Sequence, residues 1–203
     1  VEKGLRNIQH IRDASRHFQT LRGRRVLSEI LPVFVDAAVK SSNPDMALNH
    51  LQAFASMLSV RESYLDLFTE NKDLIPILIN LFSQSEYLSK AIIRKPDYLE
   101  LIGHEIVLKK NLSTLKDELK KSARGGQALS DAMRIMRQVE EIRLSLLFLQ
   151  KKIDVTKLIK GLSKTAEAIL SASVEELGGN LAIVGFGKLG GREITFNSDI
   201  DII

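Results

Sequence analysis

Two aspartates one residue apart, Asp199 and Asp201, follow closely on a glycine-rich stretch holding Gly185, Gly187, Gly190 and Gly191. On an extended segment side chains alternate, which places both carboxylates on one face about 7 Å apart, with Ile200 and Ile202 turned to the other. Like charges so close call for a cation between them. Hard oxygen ligands suit Mg²⁺, which keeps several waters and takes phosphate oxygens as further ligands. Just upstream, Gly190 and Gly191 let backbone N–H groups come near an anion, and Lys188 and Arg192 supply positive charge. A phosphate cradle beside an acidic metal platform is the equipment of nucleotidyl transfer.

Other phosphate-binding motifs fit less well. Gly185, Gly187 and Gly190 satisfy the dinucleotide fingerprint G-x-G-x-x-G after an apolar run. That turn must open a long helix, whereas Gly191, Thr195, Phe196, Asn197 and Ser198 disfavour one. The acidic residues also arrive too soon for a ribose contact. No Gly-Lys-Ser/Thr occurs, so a Walker A loop is excluded.

The elements that must position these residues are helical by their apolar spacing. Leu5, Ile8, Ile11, Ala14, Phe18 and Leu21 form one stripe, and Gly23 is expected to end that helix. Ser28 is then expected to cap the next, with Pro32 in its opening turn. Asn43, Pro44 and Asp45 combine a cap, an N1 proline and an acid at the positive helix end. Shorter helices are predicted around Tyr64 to Phe68, over 74–81, from Ser85 to before Pro96, and from Pro96 to Gly103. The spacing predicts further helices over 114–124 and 127–153, and Asp154 caps another over 155–177, stopped by Gly178 and Gly179. No fixed-period repeat occurs, and short connections favour antiparallel neighbours in an irregular bundle. Residues 180–203 hold four of the chain's 12 glycines and an alternating apolar pattern, which reads as strand. The expected organisation is therefore a helical domain over 1–179 followed by the start of a second domain over 180–203.

Composition removes whole classes of function. Of 203 residues 44% are hydrophobic and 27% charged, enough apolar material to bury a core. No apolar run approaches a membrane span, and no secretory signal follows Val1. The absence of cysteine excludes disulfides and thiolate metal sites and fits a cytoplasmic setting. His10, His17, His50 and His104 lack metal-ligand spacing. The net charge is +4, aromatics are 5%, and the densest basic cluster is Arg22, Arg24 and Arg25, read as a helix end. Neither a nucleic-acid nor a membrane partner is expected. The final run, Asp199 to Ile203, reads as an unfinished strand, so the chain is expected to be a piece of a longer protein.

The pattern running from Gly185 through Lys188, Gly190, Gly191 and Arg192 to Ser198, Asp199 and Asp201 resembles the nucleotidyltransferase motif of the glutamine synthetase adenylyltransferase family. The stretch from Arg61 through Tyr64 and Phe68 to Asn71, and that from Lys95 to Leu101, are similar to the helical region before the family's second catalytic domain. The resemblance implies a DNA-polymerase-β-like fold, so the fold expected is mainly α, an antiparallel bundle followed by the truncated first strands of an α/β domain. It implies Asp199 and Asp201 as Mg²⁺ ligands and catalytic residues. It also implies Gly190, Gly191 and Ser198 as nucleotide-phosphate contacts, with Lys188 and Arg192 as supplementary ones. A third carboxylate is implied on a later strand beyond Ile203, so this chain alone is expected to be inactive. ATP is the implied substrate, glutamine synthetase the implied target, and a nitrogen-signalling protein the implied regulator. The implied activity is attachment of AMP to a tyrosine, with phosphorolytic removal of AMP as the alternative. A non-catalytic helical docking module is the reading from a different class.

Overall fold

The computed structural model describes residues 9, 13, 20–58, 63–99, 110–124 and 128–203. The helix expected over 5–21 lies mostly outside them, as do Gly103 and Leu101. The chain divides into two compact units, Val1–Glu105 and Ile106–Ile203.

In the first unit α1 spans Leu21–Val39, α2 Pro44–Leu58, α3 Ser63–Glu70, α4 Leu74–Gln84 and α5 Glu86–Arg94, followed by a 3₁₀ turn at Pro96–Leu99. Several starts are set by local chemistry. The Asn43 side chain accepts from the Met46 N–H at 3.1 Å, and Ser85 caps α5 by accepting from the Leu88 N–H at 3.2 Å. The start of α1 differs from the expectation at Gly23 and Ser28. Thr20 is the cap, accepting from the Gly23 N–H at 2.9 Å, so Gly23 lies in the first turn and ends nothing. Ser28 lies within the helix and donates back to the Arg25 carbonyl, and α1 runs through Pro32. Arg22 and Arg25 consequently sit at the start of a helix, where the dipole disfavours cations. They pair instead with Asp66 and Glu29. The core gathers Phe34, Phe54, Phe68 and Phe82, all buried. Phe34–Phe68, Phe54–Phe68 and Phe54–Phe82 meet edge to face at 5.2, 5.9 and 5.5 Å.

In the second unit α6 spans Leu112–Arg124, α7 Leu129–Leu149 and α8 Val155–Glu176. Asn111 starts α6 by accepting from the Thr114 N–H, and Asp154 starts α8 by accepting from the Lys157 N–H, each at 2.8 Å. Lys151, in the left-handed region at φ 58°, turns the chain between α7 and α8. Gly161 lies against Leu144, and Ser173 donates to Met133, so α7 and α8 run antiparallel. A Cβ at Gly161 would stand 2.7 Å from Leu144 Cδ2, so a larger residue there would require the Leu144 side chain to move.

The strands expected over 180–203 are not formed: among the described residues there is no β-strand or sheet, and the truncated α/β region is overturned. Only an isolated antiparallel bridge joins Gly185 to Ile202. It is flanked by hydrogen bonds from Phe186 N–H to the Asp201 carbonyl and between Val184 and Ile203. The physical cause is local. Gly187–Gly190 closes into a four-residue helical turn, and Arg192 and Asn197 adopt positive φ of 54° and 53°. The extended stretches left on either side are too short for a ladder. Ile202, expected to face inward, is 45% exposed. The segment is nevertheless anchored, because Leu189 and Ile194 are buried against Leu144, Leu158, Leu162 and Ala166.

Candidate functional site

The helical turn follows from its glycines. Gly187 has φ +51°, and a Cβ there would lie 2.8 Å from Asp201 Oδ2, so its bare backbone abuts that carboxylate. A Cβ at Gly190 would stand 2.5 Å from the Gly185 carbonyl oxygen, so this glycine lets the turn fold back on the extended run. The Gly190 and Gly191 N–H groups donate to the Phe186 and Gly187 carbonyls, both at 3.0 Å. Their amides thus hold the turn together.

Ser198 is buried at 6% exposure. Its hydroxyl accepts from the Thr195 N–H at 3.1 Å, lies 2.8 Å from Thr195 Oγ1, and receives Lys188 Nζ at 3.5 Å. Lys188 also donates to Thr195 Oγ1 at 3.3 Å. The structure therefore joins Lys188 with Ser198, and Gly187 with Asp201. Arg192 is drawn elsewhere: its Nε donates to Glu167 of α8 at 2.9 Å. With Gly190 it borders an open groove of about 630 Å³ between α8 and the run over 179–185. Neither aspartate lines that groove.

Asp199 and Asp201 are exposed, while Ile200 between them is half-buried against the core. Among the described residues neither carboxylate has an ion pair or a side-chain hydrogen bond, and no cluster of three His, Asp or Glu residues is assembled for a metal. Two unpaired oxygen donors fit an ion that draws its remaining ligands from water and phosphate, as Mg²⁺ does. They do not make a closed protein cage.

Sequence reasoning missed the side chains that hold this segment from the helices. Arg137 of α7 donates through Nη2 to the Ser198 carbonyl at 2.7 Å, and through Nε to Glu141 at 3.2 Å. Ser163 of α8 accepts from the Ile194 N–H at 3.2 Å. Arg137 and Glu141 read in sequence as an ordinary i,i+4 surface pair, so no linear signal marks them.

Comparison with known proteins agrees with the motif. The family profile described as glutamate-ammonia ligase adenylyltransferase matches residues 75–203. A bifunctional glutamine synthetase adenylyltransferase/adenylyl-removing enzyme of Mannheimia haemolytica is 29% identical, over 93% of this chain and 23% of that protein. Enzymes of the same description from Chromobacterium violaceum and Neisseria meningitidis are 27% and 28% identical, each over 98% of this chain. The chain spans about a quarter of the length of these relatives (24% and 23% of the last two). With more than half of its residues matched by the profile, the chain belongs to the glutamate-ammonia ligase adenylyltransferase family.

Proposed function

We propose that the full-length protein transfers AMP from ATP to a tyrosine of glutamine synthetase, and that the 185–201 segment supplies part of the site. The observation that carries this is the pair of exposed, unpaired carboxylates of Asp199 and Asp201, beside the Gly187 backbone and the Lys188–Ser198 pair. Asp199 and Asp201 would hold Mg²⁺, which when bound supplies charge neutralisation at the transferring phosphoryl group and a template for in-line displacement. Lys188, tethered by Thr195 and Ser198, offers its ammonium to a phosphate oxygen and to the leaving pyrophosphate. The turn over Gly187–Gly190 keeps side-chain bulk away from Asp201, so that a triphosphate can come close. In the reaction the phenolic oxygen gives up its proton to solvent and bonds to the α-phosphorus, the bond from that phosphorus to the bridging oxygen breaks, and pyrophosphate leaves.

Phosphorolytic removal of AMP is the second reading, favoured by the relatives' printed names, which join both activities. Asp199→Asn and Asp201→Asn in the full-length protein test the proposal, with attachment and removal of AMP assayed separately on glutamine synthetase. Loss of at least about 100-fold in attachment is expected for each, as for removal of a charge-stabilising group from a transition state. Unchanged attachment with lost removal would assign the segment to the removing activity, and no change in either would end both readings.

A further inference from the structure

A cavity of about 480 Å³ opens where the α7–α8 turn meets the start of α8. Among the described residues six cations line it: Lys110, Arg143, Lys152, Lys157, Lys160 and Lys164. None of the described lining residues is acidic, and none belongs to the 185–201 segment. Linear inspection ranks Arg22, Arg24 and Arg25 as the densest basic cluster, but the fold gathers twice that number here. Lys157, Lys160 and Lys164 recur at three- and four-residue steps, hence on one side of α8, and Lys152 joins them from the turn.

The cations fall into two layers. At the back, Arg143 is 7% exposed and Lys110 13% exposed, and both bind the buried Glu140 carboxylate, Arg143 through Nη2 at 2.6 Å and Lys110 at 3.0 Å. Lys110 also reaches Glu118 at 2.8 Å. At the mouth, Lys157 stands 3.8 Å from Asp154, whose other oxygen caps α8. Among the described residues Lys152, Lys160 and Lys164 have no carboxylate within ion-pair distance. Such a concentration of one sign repels itself, and a concave wall focuses its field outward. An anion placed here relieves that repulsion.

We propose that this cavity binds a small molecule carrying a polyphosphate group. Three mouth lysines without carboxylates, together with the half-paired Lys157, match a compact group of three to four negative charges. The volume suits one small ligand, and Leu144 and Ile153 give the cavity an apolar wall for an organic body. A single-stranded nucleic acid fits less well, because among the described residues no aromatic side chain lines the cavity to stack a base.

Calorimetric titration of the 203-residue chain with inorganic tripolyphosphate in EDTA tests this, since chelation silences binding that depends on Mg²⁺. Saturable binding at one site is expected. It should weaken at least about tenfold in the Lys160→Glu/Lys164→Glu double variant and be unchanged in Asp201→Asn. Lys160→Ala/Lys164→Ala, which removes charge without reversing it, should weaken binding by at least about threefold and serves where the reversal disturbs the circular dichroism. Tighter binding of ATP than of tripolyphosphate would identify the apolar wall as a nucleoside contact, which also supports the proposal. It is overturned if wild type shows no saturable binding, or if Lys40→Glu/Lys121→Glu weakens binding equally. Binding of polyuridylate without binding of tripolyphosphate would overturn it as well.

Discussion

The Arg137 guanidinium donates to the carbonyl of Ser198, the residue directly before Asp199, at 2.7 Å. One side chain in the middle of α7 thus fixes the backbone that carries the two candidate metal-binding carboxylates. Its other donor goes to Glu141, whose side chain is 4% exposed, so the guanidinium is aimed as well as attached. Arg137→Met keeps the hydrophobic stem and removes both donors. A loss of about 1.5–3 kcal/mol in unfolding free energy is expected, the range for hydrogen bonds to charged groups. Hydrogen exchange at residues 198–201 should accelerate in the same variant. Unaltered exchange there would show that the bridge and the buried Ile194 hold the segment without Arg137.

The glycines of the turn differ in what a methyl group would meet. At Gly190 it would stand 2.5 Å from a backbone oxygen, which cannot move without opening the turn. At Gly191 the nearest atom, 2.8 Å away, is the end of the Glu193 side chain, which can swing aside. Gly190→Ala should therefore cost about 1–3 kcal/mol, the range for overpacking, and Gly191→Ala less than about 1 kcal/mol. Urea denaturation of the two variants checks the order, and equal costs would refute it.

Glu175 ties α8 to α6. It accepts from Lys116 and from Lys120, the latter at 2.8 Å. These hydrogen bonds, Lys116 first and Lys120 second, hold its carboxyl down at about 2, from an ordinary value of 4.5. A carboxylate with a lowered folded-state pKa contributes its stability above the unfolded value and loses it as pH falls towards the folded one. The difference in melting temperature between wild type and Glu175→Gln should thus be full at pH 6, shrink below pH 4.5 and vanish near pH 2. The group is on the surface, so the difference should also shrink in high salt. A difference independent of pH would mean that packing, not charge, sets the contribution.

Phe54 touches three aromatic neighbours in the first unit, Phe34, Phe68 and Phe82, and is fully buried. Phe54→Ala should cost about 3–5 kcal/mol, because transfer and cavity terms add. Phe54→Leu should recover more than half of that by refilling volume. Denaturation followed by the tyrosines of this unit measures both.

Much of the helical architecture was legible because its signals are local. Asn43, Ser85 and Asp154 each accept from an N–H three residues on, so they open helices whatever the chain does elsewhere. Thr20 does the same and places Gly23 inside the first turn of α1. The Gly185 to Asp201 motif was legible for the same reason, as a pattern of residue types that identified the family. What only the tertiary structure decided depends on partners far away in sequence. Strands need a neighbouring backbone, and the residues over 180–203 found just one bridge together with a helical turn. Arg137 meets Ser198 across 61 residues, and Lys110 shares a cavity with Lys152 and Lys164 where its ion pair with Glu140 holds it against α7. Caps and periodicity are properties of a few consecutive residues, whereas the anchoring of the 185–201 segment and the cationic cavity are properties of how helices meet.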